Sequence, residues 1–405
     1  MASVLARVVL VASLLAGASG LGALPRPAAA AAAAVDGITA IYNFGDSLSD
    51  TGNLIREGAT GLLQYISRPP YGEAIGKPTG RCSDGYLMID FLAKDLGLPL
   101  LNPYLDETAD FTHGVNFAVA GATALDTATL TERGITVAHT TSSLDVQLKW
   151  FKDFMSSTTN SSAEIRQKLA SSLVLLGEIG GNDYNYAFLQ NWPKGGGYDL
   201  NNIVHVVKSV AQAVALVPEV VQSITDAAKE LLEMGAVRMV IPGNFPVGCV
   251  PSYLATVNVT EPVAYDGDGC LVALNVFAEL HNARLREAVE ALRRAYPGAA
   301  IAYADYFAAY AGVLREAAAL GLDPAAARAA CCGAGGGAYN FEVGRMCGAP
   351  GTSVCAEPGR YVSWDGVHPT QRAYGAMARM LYRGGLAYPA PIRWPRGGEK
   401  TAGSP

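Results

Sequence analysis

Ile41-Tyr42-Asn43-Phe44-Gly45-Asp46-Ser47-Leu48-Ser49-Asp50-Thr51-Gly52-Asn53 is the stretch on which the reading of this chain turns. A run from Ile38 to Phe44, apolar on both faces and so suited to a buried parallel sheet, stops abruptly at a Gly-Asp-Ser turn. The residues that follow can open a helix. Such a break puts a small hydroxyl at the carboxyl end of a strand, beside backbone N–H groups that nothing else has claimed. Ser47 is therefore a candidate nucleophile. Gly-Asp-Ser is also ordinary turn composition, so the rest of the chain has to supply a base, an orienting acid and an oxyanion site.

Working outward, four more apolar runs read as strands. Val115 to Val119 is turned by Ala120-Gly121-Ala122, and Leu173 to Ile179 is halted by Gly180-Gly181-Asn182-Asp183. Val237 to Ile241 ends at Pro242-Gly243-Asn244, and Ala300 to Ala304 is the fifth. Helical patterns alternate with them. Leu87 to Leu98 carries an apolar stripe that Asp84 can cap, and Leu144 to Met155 follows. A long helical region from Ile203 to Met234 holds Pro218 as a break or kink. Leu271 to Tyr296 is amphipathic, and Tyr306 to Leu320 and Thr370 to Tyr382 complete the set. This alternation predicts an α/β fold, a doubly wound parallel sheet of five strands covered on both faces. Thr51 to Arg81, rich in Gly and Pro, reads as a long surface loop shaping a cleft, and Cys331 to Arg360 as a pinned loop. No linker divides the chain, so a single domain is expected over residues 35–390, with a mobile tail at 391–405.

Of 405 residues, half are hydrophobic and 16% charged, which fits a globular protein and argues against disorder. The net charge of −6 comes without a Lys/Arg block, so there is no electrostatic case for nucleic acid or an anionic membrane. Residues 1–34 look like an export segment: Arg7 precedes an apolar run from Val8 to Ala16, and Ala28 to Ala34 offers small-x-small cleavage sites. An uncleaved anchor is the competing reading. The sequons Asn160-Ser161-Ser162 and Asn258-Val259-Thr260 make Asn160 and Asn258 glycosylation candidates.

Seven cysteines suit an oxidising compartment, and their odd number leaves at least one unpaired in a monomer. Cys249 with Cys270 would close one loop. Cys331, Cys332, Cys347 and Cys355 would pin another, in a connectivity that sequence does not give. A zinc site is the rival, but the knuckle spacing is missing.

A serine nucleophile needs a base and a third group to fix its tautomer. Among five histidines, His205 and His281 fall in helical pattern, and His113 and His139 lie in loops with no carboxylate close in sequence. His368 differs. In Trp364-Asp365-Gly366-Val367-His368-Pro369 a carboxylate stands three residues upstream, so Asp365 can accept from one ring nitrogen while the other faces a cleft. The bland alternative is a cap and a surface imidazole. Ester hydrolysis also needs fixed donors for an oxyanion. Strand carboxyl ends share one edge in a doubly wound sheet. The turns there can bring together the Ser47 N–H, a bare N–H at Gly121 and the Asn182 side-chain amide. The α/β-hydrolase elbow Gly-x-Ser-x-Gly is absent, since Leu48-Ser49 follows Ser47. No phosphate-cradling glycine loop is present at the first turn.

Four ordered blocks, Gly45-Asp46-Ser47-Leu48-Ser49-Asp50-Thr51-Gly52-Asn53, Asn116-Phe117-Ala118-Val119-Ala120-Gly121-Ala122, Gly180-Gly181-Asn182-Asp183 and Asp365-Gly366-Val367-His368-Pro369, together resemble the plant GDSL esterase/lipase family of the SGNH-hydrolase superfamily. Gly80-Arg81-Cys82-Ser83-Asp84-Gly85 and Cys331-Cys332-Gly333 add to the likeness, which runs from about Ile41 to Leu381. Ala120 departs from it, standing where a second glycine is common. The resemblance implies a three-layer α/β/α, flavodoxin-like fold. It makes Ser47 the nucleophile, His368 the base and Asp365 the orienting acid, with Ser47, Gly121 and Asn182 as oxyanion hole. It implies no metal and no organic cofactor. The run Gly177 to Tyr186 is similar to the branch with esterases of acylated plant metabolites and deacetylases of wall polysaccharides. The expected activity is removal of short acyl groups, acetyl above all, from a polysaccharide such as xylan or from an acylated secondary metabolite, by a secreted monomer of the cell wall or one retained in the Golgi. A lipase on longer esters, an acyltransferase and a non-catalytic binding protein are the alternatives. Tyr184-Asn185-Tyr186 is expected to line the cleft, where tyrosines suit a sugar or aromatic alcohol.

Overall fold

The computed structural model describes residues 37–189, 200–257 and 261–389. The export segment, Asn258 and the tail fall outside those residues. Five parallel strands form the centre: β1 (Ala40–Phe44), β2 (Gly114–Asn116), β3 (Ser172–Leu176), β4 (Arg238–Pro242) and β5 (Ala300–Ala304). Their order is 2-1-3-4-5, with Asn43 of β1 opposite Asn116 on one side and Leu175 on the other. These strands are buried almost throughout, as unbroken apolar runs require.

Alternate side chains divide between two cores. Tyr42, Phe44, Val174, Leu176, Met239 and Ile241 pack on the side of the helices Leu144–Thr158, Leu200–Met234 and Val272–Ala295. Ile41, Leu173, Leu175, Val240 and Ala302 pack on the side of Met88–Asp95, Tyr306–Arg315 and Gln371–Tyr382. Two apolar faces and two helical layers make the three-layer α/β/α sandwich that the alternation predicts.

The expected five strands are joined by a sixth. Ala387–Tyr388 returns after the last helix and pairs antiparallel with β5, Tyr388 opposite Tyr303. Two residues before Pro389 carry no periodicity to read. Where a strand was expected to reach Val119 or Ile179, the named strands stop earlier. The bonds from Phe117 N–H to Asn43 and from Val119 N–H to Gly45 nevertheless continue the pairing toward the turn. The helix Leu200–Met234 runs through Pro218 without interruption, and the helix from Tyr306 stops at Arg315.

Two expectations about loops change. Thr51 to Arg81 is not merely a surface loop: it contains the helix Asn53–Glu57, and Leu63, Ile66 and Tyr71 are buried. Arg81 grips the buried Asp90 through two nitrogens, at 2.7 and 2.8 Å. Asp84 does not cap the helix that follows it. Asp90 accepts the Leu87 N–H there, while Asp84 takes the Gln371 N–H at 2.6 Å and so caps the last helix from a distance.

Disulfides join Cys249 to Cys270, Cys331 to Cys355 and Cys332 to Cys347, and Cys82 is free and buried. With those sulfurs bonded to each other, the zinc reading has no ligands. Among the described residues no helix is long and apolar enough to cross a membrane.

Candidate active site

From β1 the chain's neighbours diverge, β2 on one side and β3 on the other, and a doubly wound sheet opens its crevice at such a switch point. Ser47 stands there. Gly45 adopts φ +144°, and a Cβ on it would meet Ser49 Oγ at 2.7 Å and Glu178 O at 3.0 Å. Gln147, fully buried, donates to Gly45 O and accepts from Gly45 N–H, both at 2.9 Å. Asp50 accepts the N–H groups of Gly52, Asn53, Leu54 and, at 2.9 Å, Ala120. The turn after β1 is thereby stitched to the turn after β2, since the Asn53 amide also donates to Asn116 and Ala118 carbonyls.

His368 arrives from the loop before Gln371–Tyr382, a helix that Thr370 caps through the Ala373 N–H. Its Nε2 lies 2.8 Å from Ser47 Oγ, and its Nδ1 lies 2.7 Å from Asp365 Oδ2. Asp365 Oδ1 accepts the N–H groups of Val367 and His368, which folds Asp-x-x-His into a closed turn. Burial pushes the Asp365 carboxyl up, but the charge and hydrogen bonds of His368 outweigh it and hold the group below its ordinary value. An ionised Asp365 can only accept, so the imidazole proton sits on Nδ1 and Nε2 is left as the acceptor for the Ser47 hydroxyl.

The loop is fastened from behind. Cys331 and Cys332 donate their N–H groups to Ser363 and Trp364, and Ser83 Oγ donates to Pro369 O at 3.1 Å. Tyr71, from the Pro-rich segment, donates its phenol to Asp365 Oδ2 at 2.8 Å. No sequence pattern near Tyr71 pointed to that bond.

Gly121 takes φ +87°, and a Cβ there would lie 2.7 Å from His139 Cβ and 3.1 Å from the Tyr186 hydroxyl. The N–H groups of Ser47 and Gly121 donate to nothing among the described residues, so both are available to an incoming oxygen. The Asn182 amide is differently placed. Its nitrogen donates to Asp46 Oδ2 at 3.0 Å and to Ala122 O at 2.9 Å, which uses both of its hydrogens. It can serve an oxyanion only by exchanging one of these bonds. Asp183 accepts from Ala124 and Leu125 N–H, pinning the start of Gly181–Leu189 to the loop that carries Gly121.

Other expectations resolve simply. Tyr186 donates to Gly121 O, but Tyr184 turns into the core, where its hydroxyl meets His281 Nδ1 at 2.8 Å, and so does not line the cleft. His113 binds Thr39 O on the surface. Asn160 is exposed beside Glu164. His139, which nothing in its sequence context singled out, packs against Gly121 close enough to feel His368. Burial first, and that imidazole second, lower its pKa.

Fold and site together point to a class, the α/β/α hydrolases that act on esters. Residues 41–381 match the GDSL-like Lipase/Acylhydrolase family. Acetylajmalan esterase of Rauvolfia serpentina is 41% identical over 345 residues, covering 85% of this chain and 84% of its own. A GDSL esterase/lipase of Arabidopsis thaliana is 42% identical over 369 residues, 90% of either chain. The chain belongs to the GDSL esterase/lipase family and is a hydrolase acting on ester bonds.

Proposed function

We propose that the protein removes short acyl groups, acetyl above all, from hydroxyls of an acylated secondary metabolite or of a wall polysaccharide such as xylan, through an acyl-enzyme on Ser47. The observation that carries the mechanism is the continuous relay from Ser47 Oγ through His368 to Asp365. His368 Nε2 takes the Ser47 proton as Oγ attacks the ester carbonyl. The N–H groups of Ser47 and Gly121 receive the oxyanion, and the Asn182 amide joins them by releasing Asp46 or Ala122. His368 then protonates the leaving alcohol and activates water for deacylation. No step calls for a metal or organic cofactor.

The acetyl preference is supported by relatives from Rauvolfia serpentina named acetylajmalan esterases, a name that specifies an acetyl ester. Export through the secretory pathway is supported by the three disulfides. Turnover of p-nitrophenyl acetate by Ser47→Ala tests the mechanism: loss of about 10⁴-fold or more in kcat is expected, and a wild-type rate refutes it. A screen of acylated small metabolites, acetylated xylan and long-chain triglycerides tests the substrate. Activity confined to triglycerides would replace the reading by a lipase, and transfer to an added alcohol in preference to water by an acyltransferase.

A further inference from the structure

Four buried carboxyl groups interact beside the turn that carries Ser47, those of Asp46, Asp50, Glu178 and Asp183. Three have N–H donors. Asp50 and Asp183 take the backbone groups described above, and Asp46 takes the Leu48 N–H on Oδ1 and the Asn182 amide on Oδ2. Glu178 has none among the described residues; its own carbonyl oxygen accepts the Asp46 N–H at 3.1 Å, and its carboxyl lies against that of Asp46. Gly181 leaves the room for it, since a Cβ at that position would come within 2.8 Å of Glu178 Oε1.

Two carboxyl groups in hydrogen-bond contact must hold a proton between them, because two adjacent anions in a dry site repel. Asp46 already accepts two N–H donors, which places the negative charge on Asp46 and the proton on Glu178. We propose that Glu178 is a positioning residue that stays protonated at working pH and donates its O–H to Asp46, setting how firmly Asp46 holds the Asn182 amide beside Ser47. The inference rests on the reading of Ser47 as nucleophile and Asn182 as oxyanion donor. Satisfied by Glu178, Asp46 is a weaker acceptor toward Asn182, so that amide is easier to lend to the oxyanion.

The groups facing the pair offer no counter-charge except one. Asp183 and Tyr184 approach Glu178 from Gly181–Leu189, and Tyr306 and Tyr374 from the opposite helical layer. Asp50 faces Asp46 from its own turn, and His368 alone can be cationic. Burial first and Asp46 second push the Glu178 carboxyl well above its ordinary value. When alkali removes its proton to water, a second anion appears behind the oxyanion site and kcat falls.

The test compares kcat for p-nitrophenyl acetate between about pH 6 and 10 in wild type, Glu178→Gln and Glu178→Ala, with Ser47→Ala as blank. Glutamine still donates to Asp46 but cannot ionise. Glu178→Gln should stay within about threefold of wild type at neutral pH and keep its rate where wild type has lost about tenfold. Glu178→Ala should lose about tenfold in kcat at all pH values with KM unchanged. A protonated-carboxyl C=O band in the infrared spectrum of the wild-type protein, persisting above about pD 8 and fading as kcat fades, reads the same proton without any variant. Absence of that band, or an alkaline fall in Glu178→Gln at the wild-type pH, overturns the proposal. Failure of the underlying reading shows separately, as undiminished turnover by Ser47→Ala.

Discussion

Tyr71 donates its phenolic hydrogen to Oδ2 of Asp365, the same carboxylate oxygen that faces His368 Nδ1. The tyrosine is 1% exposed and stacks edge-on against Trp364, so its hydroxyl has no water to turn to. A second donor on that oxygen lowers its basicity and tempers its pull on the imidazole. Tyr71→Phe removes the donor and leaves the ring. A hydrogen bond to a charged group is worth about 1.5–3 kcal/mol, so kcat is expected to change by about tenfold. Without that donor Asp365 is a stronger acceptor toward His368 Nδ1, so the change should appear in kcat with KM nearly unchanged. A kcat equal to wild type in Tyr71→Phe would mean that the contact is only packing.

Gly121 offers the second prediction. Its φ of +87° and its approach to His139 Cβ exclude a side chain on two independent grounds. Gly121→Ala must swing the turn, and with it the N–H available to an oxyanion. Loss of one such donor costs about 10²–10³ in kcat. Steady-state kinetics on a short-chain ester should show that loss in kcat with KM nearly unchanged. A fall confined to KM would place Gly121 in substrate binding instead.

Much of this was legible in the chain, for a physical reason. Strands buried on both faces leave apolar runs, and turns that must leave the sheet edge leave Gly, Asn and Asp, so β1, β3 and β5 and the turns at Ser47, Gly121 and Asn182 stood out. Asp365 and His368 were readable because their bond closes within three residues. What was hidden is long-range. Gln147 clamps Gly45 across 102 residues and Tyr71 reaches Asp365 across 294, and such bonds impose no period on the sequence. Glu178 sits inside the apolar run Leu173 to Ile179, and its approach to Asp46 exists only in the fold. Asp84 misled by the opposite route: a local capping rule lost to a tertiary partner, the Gln371 N–H.

The disulfides tie stability to the site. Cys332 bonds Cys347 across 15 residues, and the Cys332 N–H holds Trp364 O at 2.7 Å, one residue before Asp365. Opening a loop of that length costs about 3 kcal/mol in the chain-entropy account. The double variant Cys332→Ser, Cys347→Ser should therefore unfold at lower urea, by about 3 kcal/mol on linear extrapolation. It should also lose about tenfold in kcat while still folded, because the His368 loop is no longer backed. Equal kcat in wild type and variant below the unfolding transition would separate the bridge from the site.

His281 sets a pH dependence remote from the chemistry. The ring is fully buried, its Nδ1 meets the Tyr184 hydroxyl, and its Nε2 has no partner among the described residues. Burial depresses its pKa from 6.5 to about 3. Between those values the unfolded chain binds the proton and the native state does not, so stability falls as pH drops through the window and is complete above it. Asp46 and Asp183 act in the other direction, since burial raises their carboxyls to about 6 and about 7 and stability falls as pH rises toward those values. The informative quantity is therefore a difference between proteins. His281→Gln should be less stable than wild type near pH 7.5, and the gap should narrow by about pH 5, because glutamine has no proton to take up on unfolding. Urea midpoints at the two pH values measure it. A gap that stays constant would show that His281 contributes packing without proton linkage.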